Sequence, residues 1–373
     1  MFGSKKYSYL GVDLGTASIK VAELANYNGR PRLTTYGFTE KSPAHISETG
    51  LITNIDETAA ILKDILKKSK VTTNKAIAAL PNFSVFTSIL TLPALNKKEL
   101  AAAVSWEAKK IIPLPLEEII LDWKVIEEFE TAAGQPVATE MADGSLLQDA
   151  NPLKKIFSKP RKNVKILLTG ANKNLIKKYL EIFNKANLSL LSLETESFAL
   201  IRSLIGPDKS TILLIDMGAS TSSITVVTGG VPALSRSIEL GGQSITKAIS
   251  SALNVNLDRA EQFKQDLSLG SETAENSLPV TVEKAFAPIL NEIKYTFNLY
   301  NDSNQKRIEK IILTGGTANL GHLANYLSDI FKVNAYVGDP FGRVIFPVDL
   351  KPVLDRVGSR FAVSVGLAMR EIE

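Results

Sequence analysis

The stretch Leu10-Gly11-Val12-Asp13-Leu14-Gly15-Thr16-Ala17-Ser18 returns in the second half of the chain as Leu214-Ile215-Asp216-Met217-Gly218-Ala219-Ser220-Thr221. In each copy an apolar strand delivers an aspartate into a glycine-containing turn lined with small hydroxyl residues. Repeated supersecondary units mark related structural halves. Two such halves facing each other, with a ligand between them, are the expectation. A third turn, Thr314-Gly315-Gly316-Thr317, follows the apolar strand Ile311–Leu313 and precedes a helix.

The chemistry of these turns suits a nucleotide's phosphate tail. Glycine lets the backbone approach a phosphate closely, and successive amide N–H groups form an anion-binding nest. Thr16, Ser18, Ser220 and Thr221 add hydroxyl donors, and Lys20 neutralises remaining phosphate charge. Asp13 and Asp216 would repel phosphate directly, so they call for an intervening Mg²⁺ or its waters, which prefer carboxylate oxygen. Gly315, Gly316 and Thr317 would let a base or ribose lie against the backbone. Neither Gly-x-Gly-x-x-Gly after a strand nor Gly-x-x-x-x-Gly-Lys-Ser/Thr occurs.

Outward from the turns, strands alternate with helices in both halves, so the fold class is α/β. Apolar spacing predicts a helix over Ile55–Lys68, strands at Ala76–Leu80 and Val85–Leu92, and a helix opened by a capping box of Asn96 and Glu99. Leu100, Ala103, Val104 and Ile111 share one face of that helix, which Pro113 and Pro115 stop. Ile119–Phe129 and Val164–Thr169 are strands. Between them, 131–162 loses periodicity and gains Gly, Pro, Asp, Asn and Ser, so it is expected as a long loop. Its basic end, Lys154, Lys155, Lys159, Arg161 and Lys162, is expected to be solvated rather than lipid-bound. A helix near Asn174–Ala186, a strand Leu188–Leu193 and a helix through Glu196 follow, and Gly206-Pro207 reads as a hinge. From Gly242 to about Arg307 the chain is mainly helical.

Composition removes several function classes. The 373 residues exceed what one core usually fills. No cysteine is present, which excludes disulfides, zinc–thiolate sites and a cysteine nucleophile. His45 and His322 are the only histidines, too few for a multi-histidine metal site. No apolar run reaches the roughly 18–20 residues needed to cross a bilayer, and Met1–Lys6 is too short for a signal peptide. A cytoplasmic chain is expected. The net charge of +4 is mild, and without a recognisable module it argues against nucleic acid.

The three turns resemble the phosphate-1, phosphate-2 and adenosine motifs of the actin, Hsp70 and sugar kinase superfamily. Within it the chain is similar to the PilM family of type IV pilus assembly proteins, relatives of the division protein FtsA. The likeness covers nearly the whole chain. It includes the Met1–Lys6 leader, Glu107-Ala108-Lys109-Lys110-Ile111-Ile112-Pro113-Leu114-Pro115-Leu116, and Leu121-Asp122-Trp123. It extends through Glu194-Thr195-Glu196-Ser197-Phe198-Ala199-Leu200, Arg236-Ser237-Ile238-Glu239-Leu240-Gly241-Gly242 and Phe361-Ala362-Val363-Ser364-Val365-Gly366-Leu367-Ala368.

The resemblance implies an actin-like ATPase fold: two duplicated α/β halves around a nucleotide cleft, at 1–205 and 206–373. A small α+β subdomain would be inserted at about 84–170 and a helical one at about 242–309. Asp13, Gly15, Thr16, Ala17 and Lys20 would surround the β/γ-phosphates of ATP, with Asp216, Gly218, Ser220 and Thr221 opposite. Asp13 and Asp216 would serve Mg²⁺. Gly242, Gly315, Gly316 and Thr317 would meet the nucleoside. Glu261 and Lys264 resemble a Glu-x-x-Lys pair that reaches ribose and base, with an exposed ion pair as the alternative. Glu196, with Asp216, falls where a catalytic carboxylate is expected, and Glu196 could instead cap its helix. Hydrolysis would be slow.

The family's partner is the N-terminal peptide of a PilN-like inner-membrane protein, in a groove that the inserted subdomain helps form. Other pilus platform and motor components, indirect membrane contact at the inner face of the cell membrane and self-association belong to the same picture. An FtsA-like division protein usually ends in an amphipathic membrane helix, whereas this sequence stops at Arg370-Glu371-Ile372-Glu373. A small-molecule kinase would need a carboxylate base beside an acceptor pocket, for which no clear candidate emerges.

Overall fold

A computed structural model describes residues 7–40, 54–113, 115–131, 139–140, 146–147, 161–268, 278–303 and 306–372. Residues 1–6, His45 and most of 131–162, with Lys154, Lys155 and Lys159, lie outside the described residues. The chain divides into two compact units. Met1–Asn82, Lys178–Pro232 and Arg236–Glu373 form the first, Phe83–Lys177 with Ala233–Ser235 the second.

The first aspartate-bearing motif becomes a hairpin, β1 (Ser8–Leu14) and β2 (Ser18–Tyr27), extended by β3 (Arg30–Glu40) into an antiparallel meander. Helix α1 (Ile55–Lys68) has the predicted bounds. Asn54 Oδ1 accepts the Glu57 N–H at 3.1 Å and satisfies one of the helix's orphan donors. The chain then enters β4 (Lys75–Leu80), parallel to β1.

The second unit holds β5 (Val85–Pro93), α2 (Lys97–Ile111), β6 (Ile119–Thr131), β7 (Thr139–Glu140), β8 (Leu146–Leu147) and β9 (Arg161–Asn172). Its antiparallel sheet has the order β5-β9-β6. Asn96 Oδ1 accepts the Glu99 N–H at 3.0 Å, the capping half of the expected box. Leu100, Val104 and Ala108 bury the helix face against Leu90, Ile166 and Leu168. Both β6 and β9 outrun the expected strands. Thr131 pairs with Arg161 and Glu130 with Lys162, while the Lys165–Glu127 ion pair bridges the ladder at 2.9 Å. Arg161 and Lys162 are therefore strand rather than loop, and β7 pairs with β8 inside a stretch expected to be wholly irregular. Polar composition hides such pairing, because a ladder is made by backbone groups and cross-strand neighbours.

The remaining elements complete the first unit, with α3 (Lys173–Lys185) entering it from the second. β10 (Ser189–Thr195) closes the first sheet in the order β10-β4-β1-β2-β3. Helix α4 (Glu196–Leu200) passes into a π turn, Ile201–Ile205, that the sequence does not announce. The second motif forms β11 (Ile212–Met217) and β12 (Ser222–Thr228), followed by β13 (Val231–Ile238). Then come α5 (Gly242–Leu253), α6 (Leu257–Ser268), α7 (Val280–Ser303), β14 (Lys310–Thr314), α8 (Leu323–Phe331) and β15 (Asn334–Val337). The second sheet, β13-β12-β11-β14-β15, repeats the first: an antiparallel meander of three strands, then two parallel crossovers. The duplicated actin-like α/β architecture is thus present.

Helices α9 (Lys351–Val357) and α10 (Ala362–Met369) end the fold, and every residue of α10 is buried. One side of α10 packs on β1 and β2, another on α4. A β-carbon on Gly366 would overlap the Ala199 carbonyl oxygen, so the two helix backbones touch directly. Arg202 fastens the same crossing, donating to both Glu194 carboxylate oxygens at 2.7 and 3.0 Å and to the Gly366 carbonyl. Among the described residues no helix is long and apolar enough to cross a membrane.

Gly366→Ala should cost about 3 kcal/mol, the upper range for overpacking a closed core. Urea unfolding measures this, and an unchanged midpoint would show that the crossing has slack.

Candidate functional site

The two hairpin turns place their aspartates alike. Asp13 lies opposite Lys20 in the β1–β2 register, 7% exposed, and Lys20 Nζ bonds its Oδ2 at 3.0 Å. The Gly15-Thr16-Ala17 turn joins these strands, and the Lys20 ammonium lies 3.4 Å from where a Gly15 β-carbon would stand. Asp216 lies opposite Ser223, and the Gly218 N–H closes its turn on the Thr221 carbonyl at 2.9 Å.

The third turn meets the second. Gly315 has φ +89°, a conformation that favours glycine. A β-carbon there would overlap the Met217 carbonyl and come within 2.7 Å of Asp216 Oδ1. The Thr317 N–H reaches the Met217 carbonyl at 3.3 Å, and Gly316 is exposed. Gly242 N–H donates to the Gly218 carbonyl at 2.9 Å and begins α5.

Glu261 and Lys264 join the site from α6. Lys264 Nζ bonds Glu261 Oε2 at 2.7 Å, Thr246 Oγ1 at 2.8 Å and the Gly242 carbonyl at 3.0 Å. The Lys264 side chain is only 12% exposed, so the pair is not a solvated helical face. Burial lowers the Lys264 pKa, against the opposing pull of Glu261.

Glu196 opens α4, but it does not cap it. Its Oε2 accepts the Asn82 N–H at 3.0 Å, while Asn82 Oδ1 takes the Ser197 N–H at 3.2 Å and the Ser197 hydroxyl at 3.0 Å. Loss of water around the half-buried Glu196 raises its pKa from 4.5 to about 8, with further pressure from Asp216 and Asp13. Asp216 rises from 3.8 to about 6, first through desolvation and then through Asp13, with Lys20 opposing. Three carboxyls thus feel one another around a single lysine. Among the described residues no cluster of three or more His, Asp or Glu forms a ready-made metal cage.

Among the described residues, three buried side-chain polar atoms have no hydrogen-bond partner: Ser220 Oγ, Asn82 Nδ2 and Tyr179 Oη. Ser220 belongs to the second turn, Asn82 touches Glu196, and burial followed by Glu196 and Asp13 holds the Tyr179 pKa well above 10. The orphaned Ser220 hydroxyl in the second turn is a donor that a phosphate oxygen would accept from, and a divalent ion beside Asp13 and Asp216 would relieve the like-charge crowding. Asn82, Thr246 and Tyr179 escaped the sequence analysis. Pro81-Asn82 after a buried strand was a visible turn signal, whereas nothing in α3 marks the Tyr179 hydroxyl as different from a core ring.

Comparison with known proteins decides the family. The model of type IV pilus assembly protein PilM matches residues 11–141 and 147–372. The chain belongs to the PilM family. Among solved structures, a PilM–PilN type IV pilus biogenesis complex is similar at TM-score 0.76 and 24% identity, over 99% of both chains. MreB 5 of Spiroplasma citri, solved bound to AMPPNP, is similar at TM-score 0.50 and 13% identity, over 97% of this chain and 95% of that one. Cell division protein FtsA of Bacillus subtilis strain 168 is 23% identical over 369 residues, covering 89% of this PilM-family chain and 78% of FtsA.

Raised carboxyl pKa values set the sign of the pH dependence. Folded Glu196 and Asp216 hold protons that their unfolded forms release, so their contribution to stability is full below pH 4 and falls as pH rises through about 6 and then about 8. Glu196→Gln should flatten the loss between pH 5 and 8 and raise the ligand-free melting temperature at pH 8. An unaltered pH–stability curve would mean that Glu196 is ionised throughout.

Proposed function

We propose that this chain is an ATP-binding, actin-like scaffold of type IV pilus assembly that works with Mg²⁺ and engages the cytoplasmic N-terminal peptide of a PilN-like inner-membrane protein. The carrying observation is the convergence of two aspartate turns and the Gly315 turn beside an unpaired Ser220 hydroxyl, in a PilM-family chain. The AMPPNP-bound MreB relative of similar fold supports the nucleotide, and the PilM–PilN complex supports the partner.

In this reading Asp13 and Asp216 hold the metal through oxygen ligands or its waters, and Gly15, Thr16, Ala17, Gly218, Ser220 and Thr221 present N–H and O–H donors to the phosphates. Bound Mg²⁺ supplies the positive charge that lets carboxylates and phosphates share one cleft. Lys20, which pairs with Asp13, supplies positive charge for the phosphate tail. Gly242, Glu261, Lys264, Gly315, Gly316 and Thr317 receive the nucleoside. Glu196 is mostly protonated at neutral pH, which supports slow turnover rather than fast catalysis. Nucleotide state then controls peptide binding, and the protein works at the inner face of the cell membrane through partners. Those partners include platform and motor components, and the scaffold can self-associate.

Asp13→Ala should abolish Mg-ATP binding in calorimetry, and unchanged affinity would remove the phosphate site. Titration with an Asn-Leu-Leu-Pro-type PilN peptide should show saturable binding that Mg-ATP strengthens. No binding with or without nucleotide, by folded and ATP-competent protein, would transfer the chain to a division role of the FtsA kind.

A further inference from the structure

We propose that Asn82 is the positioning residue for phosphate hydrolysis at this site: it fixes the Glu196 carboxyl and holds, through its side-chain Nδ2, the water that Glu196 deprotonates. This deepens the nucleotide reading and rests on it.

Asn82 follows β4 and Pro81, and it grips the first turn of α4 from two sides. Its backbone N–H takes Glu196 Oε2 at 3.0 Å, and its Oδ1 takes both Ser197 donors. That arrangement fixes the amide plane and commits Oδ1, so Nδ2 is directed away from Ser197. Nδ2 is buried and has no partner. An unsatisfied buried donor is unfavourable, and helix capping alone does not explain it, since an aspartate or serine would cap without it. A water accepting from Nδ2 would lie beside the carboxyl that the same residue holds. The groups facing Glu196 are Asp216 and Asp13, which discourage its ionisation, Lys20, which favours it, and the unpaired Tyr179 hydroxyl.

In the step itself the water oxygen bonds to the γ-phosphorus of ATP. The bond from that phosphorus to the β–γ bridging oxygen breaks, and its electron pair leaves on ADP. The water's proton passes to ionised Glu196, and the products are ADP, inorganic phosphate and one proton.

Asn82→Asp separates positioning from capping, because it keeps the acceptor for Ser197 and deletes the Nδ2 donor. The expected variant stays folded, with a melting temperature lowered by the like charge placed beside Glu196, and binds Mg-ATP within about twofold. Its kcat falls about 100-fold at unchanged KM, the lower end of general acid–base contributions, and its pH–rate profile shifts upward. In nucleotide-free protein, carbon-13 NMR should show the Glu196 carboxyl titrating above its wild-type position, because a like charge now adjoins it. Asn82→Ala provides a second route: a lower melting temperature together with the same loss of kcat. Wild-type kcat in either variant would reduce Asn82 to a helix cap and overturn the inference, leaving the nucleotide reading intact. Failure of the wild type to bind Mg-ATP would overturn both.

Discussion

Backbone contact between α4 and α10 sets the geometry on which the candidate site depends. Gly366 has no side chain where the Ala199 carbonyl arrives, so the helices approach more closely than any β-carbon permits. Helix α10 also packs on β1, the strand that ends in Asp13. The crossing therefore fixes how far the Glu196 end of α4 stands from the first aspartate turn. With Asp216 brought in by β11, three carboxyls come within electrostatic range of one another and of Lys20. Burial first, and this crowding second, push the Glu196 and Asp216 pKa values up. A nearby positive charge would relieve that crowding.

Much of the fold could be read from local signals. The duplicated strand–Asp–turn motif announced two sheets of equal topology, because each copy carries its own apolar strand and its own glycine. The bounds of α1 followed from apolar spacing, and the start of α2 from its Asn96 cap. Less legible was whatever depends on neighbours distant in sequence. The extra length of β6 and β9 comes from their pairing with each other, which the polar residues between Thr131 and Arg161 conceal. The π turn at Ile201–Ile205 has no proline or glycine inside it to give it away.

The site divides along the same line. Asp13, Lys20, Asp216, Gly218 and Gly315 were readable, because each lies in a short motif whose chemistry is local. Lys264 was ambiguous in sequence, since Glu-x-x-Lys on a helix serves equally as a surface ion pair. Its burial against Gly242 and Thr246, contributed by another helix, excludes the surface pair. Asn82 and Tyr179 were invisible for a different reason. Their significance is a missing hydrogen bond, and an absence of that kind exists only after three separate segments have packed.

The Arg202–Gly366 bond joins residues 164 positions apart, and the β1–α10 packing joins an early strand to a much later helix. Contacts of such long range cannot form while a ribosome is still making the intervening chain. The first sheet must wait, with one face uncovered, until α10 has left the exit tunnel. The sheet of the second unit pairs only residues between Val85 and Asn172 and does not wait for α10. Synthesis thus imposes an order: the β5-β9-β6 ladder is complete in sequence by Asn172, whereas the packing that sets the carboxyl cluster waits for α10.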